Sequence, residues 1–169
     1  RELAARKPAG IILSGGPMSV YDKDAPDLDE RILKINVPVL GICYGLQLIS
    51  KKLGGKVEPA KDREYGRAIL NIVETSPLFN NVDKESKVWM SHGDYLTELP
   101  KGFDIIAKSD HSPIGAVANE SEKIYGVQFH PEVVHTDEGR KIIYNFLFNI
   151  CRCTGNWTSH NFIENSIAE

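Results

Sequence analysis

The chain has 169 residues, a net charge of −3, and 41% hydrophobic and 25% charged residues, which fits one soluble globular domain with a sizeable core. The weak negative charge gives no electrostatic reason to expect a nucleic acid or an anionic membrane as partner. No apolar run approaches the roughly 20 residues of a transmembrane helix. The charged start, Arg1–Lys7, is unlike a signal peptide, and three cysteines without an easy bridge indicate a reduced protein of the cytoplasm.

The first half of the chain alternates short buried strands with helices. Gly10–Ser14 and Val37–Cys43 are continuous apolar runs that predict buried strands, and the spacing of apolar residues predicts helices over Leu28–Ile35 and Tyr44–Leu53. A doubly wound domain usually has a βα unit before such a first strand. We therefore expect the first βα unit of the fold to be missing from this sequence.

The second half is richer in strands and ends on a helix. Glu138–Ile150 has apolar residues on one side and predicts an amphipathic helix. Together with the first half, this order predicts an α/β fold with an open, mixed, mainly parallel sheet flanked by helices. The strands predicted here are Val57, Ala68–Val73, Val88–Ser91, Phe103–Lys108, Ile114–Asn119 and Ile124–Phe129.

Cys43 is the strongest candidate for a reactive residue. It lies between Gly41 and Gly45 where a predicted strand ends and a helix begins. Such a turn exposes the side chain at the positive end of the helix dipole. That field lowers the pKa of a thiol, and the thiolate is the nucleophilic form.

His130 and Glu132 are the candidate partners of Cys43. They stand two residues apart after the strand predicted to end at Phe129. Reactive groups in open α/β sheets gather at the carboxyl ends of the strands, so this pair can converge with Cys43 and with Gly15 and Gly16. A cysteine with a distant histidine and acid is typical of covalent catalysis.

With these motifs, the chain resembles the class I (triad) glutamine amidotransferases, a family with a flavodoxin-like three-layer fold. The resemblance covers nearly the whole chain. It is carried by a glycine loop at Ile12–Tyr21, a nucleophile motif at Gly41–Gln47 and a His/Glu motif at Gln128–Glu132. All three motifs occur in the family's order and at its separations.

Within the family, the chain is most similar to the branch of the glutaminase domains of GMP synthases. Tyr44 after the cysteine, Ser91–Asp94 and Arg63–Gly66 carry this finer resemblance. It implies an amidotransferase domain over residues 1–153, N-terminally incomplete. Residues 154–169 would then be a linker toward an absent ATP pyrophosphatase (synthetase) domain.

The resemblance implies roles for individual residues. Cys43 would attack glutamine, His130 would move protons and Glu132 would orient the imidazole, through a thioester intermediate. The backbone N–H groups of Gly16 and Tyr44 would stabilise the oxyanion. The residues expected to bind glutamine are Gly15, Gln47, Ser91, His92 and Asp94.

The expected partners follow from the same resemblance. L-Glutamine is the substrate, and ammonia would pass to adenylated xanthosine monophosphate on the synthetase domain, fused or separate, to give GMP. ATP and magnesium belong to that domain, so we expect no cofactor and no metal on this chain.

Other interpretations stay open at this point. The chain could be the amidotransferase subunit of anthranilate, aminodeoxychorismate or carbamoyl phosphate synthesis, a stand-alone cysteine peptidase or γ-glutamyl hydrolase, or a regulatory domain without turnover. Structural roles are also open: Cys43 as an inert buried thiol, Gly15–Pro17 as a simple turn, and Gln47 on a helix surface.

Overall fold

The computed structural model describes residues 2–110 and 112–155, which contain one seven-stranded sheet. The predicted linker 154–169 therefore lies, from residue 156 on, outside the described residues. The strands follow one another in the spatial order β1-β2-β7-β6-β5-β3-β4. Their bounds are β1 Ile11–Leu13, β2 Val39–Ile42, β3 Lys56–Ile72, β4 Glu85–Glu98, β5 Asp104–Ser109, β6 Ala116–Asn119 and β7 Ile124–Val127.

The sheet is mixed, as predicted, but its parallel part is small. Within the described residues only β1–β2 and β2–β7 pair in parallel, and the other four neighbouring pairs are antiparallel. The expectation of a mainly parallel sheet is therefore wrong for this part of the chain. The strands β3, β4, β5 and β6 have only antiparallel neighbours. Such pairs need no helical crossover between the strands, which is why the second half of the chain contains few helices.

Two long strands account for most of the antiparallel part. The segments predicted at Val57 and Ala68–Val73 are one 17-residue strand, β3, which continues through the charged residues between them. The strand predicted at Val88–Ser91 extends to Glu98 in β4. β3 pairs with β4 along almost its whole length, with a register shift between Pro59 and Glu64. Ser91–Asp94 thus belongs to a strand.

Helices are few, and two of them differ from the prediction. A short helix α1 (Glu2–Ala5) precedes β1, and α2 (Tyr44–Lys52) follows β2 as predicted. The predicted helix Leu28–Ile35 is a 3-10 helix at Glu30–Lys34, begun by Asp29, whose carboxylate accepts from the Arg31 N–H. The predicted helix Glu138–Ile150 is α3 (Gly139–Tyr144) continued by a π-helix at Asn145–Ile150.

The core has one cluster on each face of the sheet. Side chains of α2 such as Leu46 and Ile49 pack with Val39 and Ile124 on one face. Ile142 of α3 and Phe146 of the π-helix pack on the opposite face. The three-layer arrangement thus agrees with the prediction. No helix within the described part of the chain is long and apolar enough to span a bilayer.

Candidate active site

Cys43 occupies a strained turn between β2 and α2. Its φ is 50° and its ψ −106°, a conformation that L-residues rarely adopt and that is typical of functional sites. The Cys43 N–H donates to Val127 O at 2.8 Å, which ties the turn to the end of β7. The end of β7 therefore lies beside Cys43, and the chain that continues from it reaches His130 three residues later.

Two glycines allow α2 to lie close enough to the sheet to form this turn. A Cβ at Gly41 would lie 2.6 Å from the Leu46 backbone nitrogen, and a Cβ at Gly126 would lie 2.3 Å from Leu46 Cδ1. Both distances are shorter than van der Waals contact. The missing side chains in β2 and β7 thus make room for the first turn of α2.

The thiol of Cys43 has two polar neighbours. Cys43 Sγ donates to Ser91 O at 3.6 Å, and Gln128 Nε2 donates to Cys43 Sγ at 3.9 Å. Among the hydrogen bonds of the described residues, none joins the thiol to His130. The Cys43 thiol is therefore directed toward the backbone of β4.

Burial decides the protonation of this thiol. Cys43 is only 3% exposed, and burial raises the pKa of the thiol to about 11 although the backbone N–H of Tyr44 acts in the opposite direction. The lowered pKa expected from the helix N-terminus is therefore wrong for this structure. The helix end still favours the thiolate, but desolvation is the larger effect.

His130 and Glu132 form a hydrogen-bonded pair. His130 Nδ1 lies 2.7 Å from Glu132 Oε1, so Nδ1 carries the proton and Nε2 is the nitrogen left to act on another group. The His130 side chain is 17% exposed, whereas that of Glu132 is 46% exposed. The carboxylate thus holds the imidazole from the solvent side.

One cavity of about 690 Å³ brings most of the predicted residues together. Cys43 and His130 both line it. Gly16, Gln47, Ser91, His92 and Asp94 also line it, together with Met18, Asp22 and Tyr65. Seven of the ten residues singled out from the sequence thus share this cavity.

The remaining three lie behind its wall. A Cβ at Gly15 would lie 2.7 Å from His130 Cε1, so Gly15 gives space to the imidazole and does not line the cavity. Tyr44 lies against Gly16, since a Cβ there would be 3.4 Å from Tyr44 Cγ. The third residue, Glu132, reaches the cavity only through His130.

Gln47 connects α2 to β4 below the cavity. Its Nε2 donates to Asp94 O at 2.8 Å, and His92 Nδ1 lies 2.9 Å from the same oxygen. Gln47 is 3% exposed, so the alternative of a helix-surface residue is wrong. Asp94 Oδ2 is buried and has no hydrogen-bond partner among the described residues, which leaves it free for a cationic group.

Gln128 is a site residue that was not predicted from the sequence. It is 1% exposed and points its amide nitrogen at Cys43. Gln128 stands two residues before His130, near the end of the strand predicted at Ile124–Phe129, and this position could have indicated a place near the site. Across residues 2–110 and 112–155, no group of three or more His, Cys, Asp or Glu could hold a metal ion.

A strained cysteine and a histidine hydrogen-bonded to a glutamate, both residues of the pair lying at or behind the wall of one cavity, are the groups that nucleophilic catalysis by a thiol uses. The glutamine amidotransferase class-I family model matches residues 1–150, and the chain belongs to this family.

The similar proteins include much longer ones. The chain is 52% identical over 169 residues to a GMP synthase (glutamine-hydrolysing) of Synechocystis and 52% identical over 168 residues to that of Clostridium tetani. The matches cover 100% and 99% of the chain but 31% and 33% of those proteins, so the chain spans about a third of their length.

Solved structures give the same fold. A protein of Thermoplasma acidophilum assigned as a GMP synthase subunit superposes with a TM-score of 0.71 and 33% identity, over 93% of this chain and 76% of that one. A glutamine amidotransferase of Thermotoga maritima superposes with a TM-score of 0.65 and 24% identity, over 95% and 66% of the two chains, and supports the fold alone.

Proposed function

We propose that this chain hydrolyses the side-chain amide of L-glutamine to glutamate and ammonia, with Cys43 as nucleophile, His130 as general base and acid, and Glu132 as the group that orients His130. The observation that carries the proposal is the strained Cys43 at the start of α2, which lines the same cavity as His130, the residue that Glu132 holds by a hydrogen bond. Strain at a non-glycine residue is retained where geometry serves function.

The chemistry has two halves. Cys43 Sγ forms a bond to the amide carbon while its proton passes to His130 Nε2, and the resulting oxyanion collapses as the C–N bond breaks and His130 protonates the leaving ammonia. Water, deprotonated by His130, then attacks the thioester. The C–S bond breaks, the thiol regains its proton and glutamate leaves.

Two backbone donors and several side chains support these steps. Gly16 packs against Tyr44 and lines the same cavity as Cys43, which supports the proposal that the N–H groups of Gly16 and Tyr44 bind the oxyanion. The unpaired Oδ2 of Asp94 would accept from the α-ammonium group of glutamine. Gln47, Ser91 and His92 complete the polar lining on that side, and Gly15 contributes by clearing space for His130.

The observed thiol has to change partner before it reacts. It donates to Ser91 O, so this bond must be exchanged for one to His130 before the proton can move. Glutamine, or a partner domain that shifts β4, can drive this exchange if it binds more tightly to the state in which the thiol is bonded to His130. Low activity of the isolated chain and higher activity beside its partner follow from this.

We further propose that the ammonia serves GMP synthesis in the cytoplasm. The GMP synthases that match the chain are about three times as long, which supports a synthetase part beyond it that holds ATP, magnesium and adenylated xanthosine monophosphate. The same relatives favour this pathway over anthranilate, aminodeoxychorismate or carbamoyl phosphate synthesis.

The test is glutamine turnover by the chain and its Cys43→Ala variant, with and without a synthetase domain. We expect turnover that needs Cys43, rises when the GMP-forming synthetase and its nucleotide are added, and does not rise with the anthranilate partner. Turnover retained in Cys43→Ala would refute the nucleophile. A response to another synthetase alone would refute the pathway.

A further inference from the structure

We infer that Thr136 is a positioning residue for His130, and this inference rests on the proposed role of His130 as general base. Thr136 does not line the cavity. It is 5% exposed, and its hydroxyl makes hydrogen bonds that fix the backbone of His130 to the edge of β4.

Three hydrogen bonds form a closed ring between the segment after β7 and strand β4. The His130 N–H donates to Trp89 O at 3.0 Å, and the Trp89 N–H donates to Thr136 Oγ1 at 3.1 Å. The Thr136 hydroxyl completes the ring by donating to His130 O at 2.6 Å. Each of the three residues is both a donor and an acceptor in this ring.

The ring takes the place of a further strand. Among the strands of the described residues, β4 is the outermost on its side of the sheet, and the outer edge of such a strand presents N–H and C=O groups to be paired. Residues 130–137 cover this edge, since Asp137 N–H also donates to Lys87 O at 3.0 Å. The Thr136 hydroxyl takes the place that a backbone carbonyl would have in a regular ladder.

His130 is thereby held from three sides. Glu132 fixes Nδ1, Gly15 leaves just enough space for Cε1, and the ring fixes the backbone. Without the hydroxyl, the Trp89 N–H and the His130 carbonyl lose this link, and only the bond from the His130 N–H to Trp89 O still joins His130 to β4, so the backbone of His130 can shift. The imidazole then moves relative to Cys43 while the glutamine-binding residues of β4 stay in place.

The test compares three variants in the full-length protein. Thr136→Val keeps the shape and removes the hydroxyl, and Thr136→Ser keeps the hydroxyl. Ser76→Ala is the matched control: Ser76 is also 5% exposed, and its hydroxyl accepts from the Leu78 N–H and donates to Glu120, away from the cavity. Rates are normalised to the Cys43 thiol titrated with a diazoketone analogue of glutamine.

We expect Thr136→Val to lower kcat about 10- to 100-fold with little change in KM, because small displacements of a reacting group have effects of this size. Thr136→Ser should restore most of the activity. Ser76→Ala should keep the wild-type kcat even if its thermal stability falls as far as that of Thr136→Val. The NMR signals of the His130 imidazole should shift in Thr136→Val and not in Ser76→Ala.

The outcomes separate this inference from the proposed function. Wild-type kcat in Thr136→Val, with turnover still dependent on Cys43, overturns the inference and leaves the function intact. If the wild-type protein has no turnover, the function fails, and unchanged His130 signals in Thr136→Val then overturn the positioning as well. If Thr136→Val does not fold, Thr136→Cys, with its weakly bonding thiol, replaces it, and wild-type kcat there overturns the inference.

Discussion

The two sides of the cavity are built in different ways. The position of Cys43 is set by the backbone, through a positive φ, a glycine in each of β2 and β7, and the parallel pairing of these two strands. The position of His130 is set by hydrogen bonds of the Glu132 and Thr136 side chains, at the edge of the antiparallel part of the sheet. Cys43 is thus positioned by the backbone fold, whereas His130 is positioned by individual side chains.

This difference predicts different responses to mutation. A change on the Cys43 side displaces closely packed backbone, so it should lower the free energy of unfolding. A change on the His130 side removes a hydrogen bond of one side chain without displacing packed backbone, so it should lower activity while the fold persists. Each of the following experiments tests one side against the other.

Glu132→Gln should give the largest effect on the His130 side. It keeps the size of the side chain but removes the charge that holds the imidazolium, and we expect kcat to fall about 10²-fold, less than for a buried triad acid because Glu132 is 46% exposed. The melting temperature should stay close to that of the wild type.

Glu138→Gln is the control, since Glu138 pairs with Lys141 and not with His130. If Glu132→Gln unfolds the protein, or Glu138→Gln lowers kcat equally, the two sides do not differ as described.

Gly41→Ala should give the largest effect on the Cys43 side. Its Cβ would meet the Leu46 backbone nitrogen at 2.6 Å, so α2 must shift, and we expect the free energy of unfolding to fall by about 3 kcal/mol. Gly126→Ala meets the Leu46 side chain and no backbone atom, with Cδ1 at 2.3 Å and Cγ at 3.1 Å, so that side chain gives way while the backbone of α2 stays, and the change should cost about 1 kcal/mol. Urea denaturation measures both. Equal losses would mean that α2 is not held by backbone contact.

Replacing Cys43 itself separates strain from chemistry. Both Cys43→Ala and Cys43→Gly remove the thiol, but only glycine adopts a φ of 50° with a ψ of −106° without strain. We expect Cys43→Gly to be more stable than Cys43→Ala by about 1–2 kcal/mol, which reverses the usual order of the two residues. Thermal denaturation of the pair decides, and an alanine variant at least as stable as glycine would show that the turn is unstrained.

The smallest effect concerns the pH dependence of the resting thiol. Because burial raises the pKa of Cys43 to about 11, iodoacetamide should modify it slowly at pH 8 without glutamine, with a rate that rises toward pH 11. The protonated thiol is the form that the fold favours. Its contribution to stability is therefore complete below about pH 9 and is lost as the pH rises through about 11.

Mass spectrometry of peptides separates Cys43 from Cys151, which is also buried. A modification rate of Cys43 that is already maximal at pH 7 would mean that a thiolate exists in the resting state and that His130 or the helix end outweighs burial.

The sequence predicts the Cys43 side well and the rest of the fold less well. Apolar runs that end at glycines locate β2, Cys43 and α2, because a buried parallel strand leaves a continuous hydrophobic pattern. β3 passes through charged residues without such a pattern, so its length and the antiparallel share of the sheet were missed. The pKa of Cys43 and the roles of Gln128 and Thr136 depend on tertiary contacts that no local spacing reports.

A covalent bond between Cys43 and the substrate can be detected by rapid acid quench of the reaction with glutamine. We expect a γ-glutamyl group on the peptide that contains Cys43, which appears before glutamate is released and is absent in Cys43→Ala. Glutamate formation without any adduct, together with turnover by Cys43→Ala, would contradict this expectation.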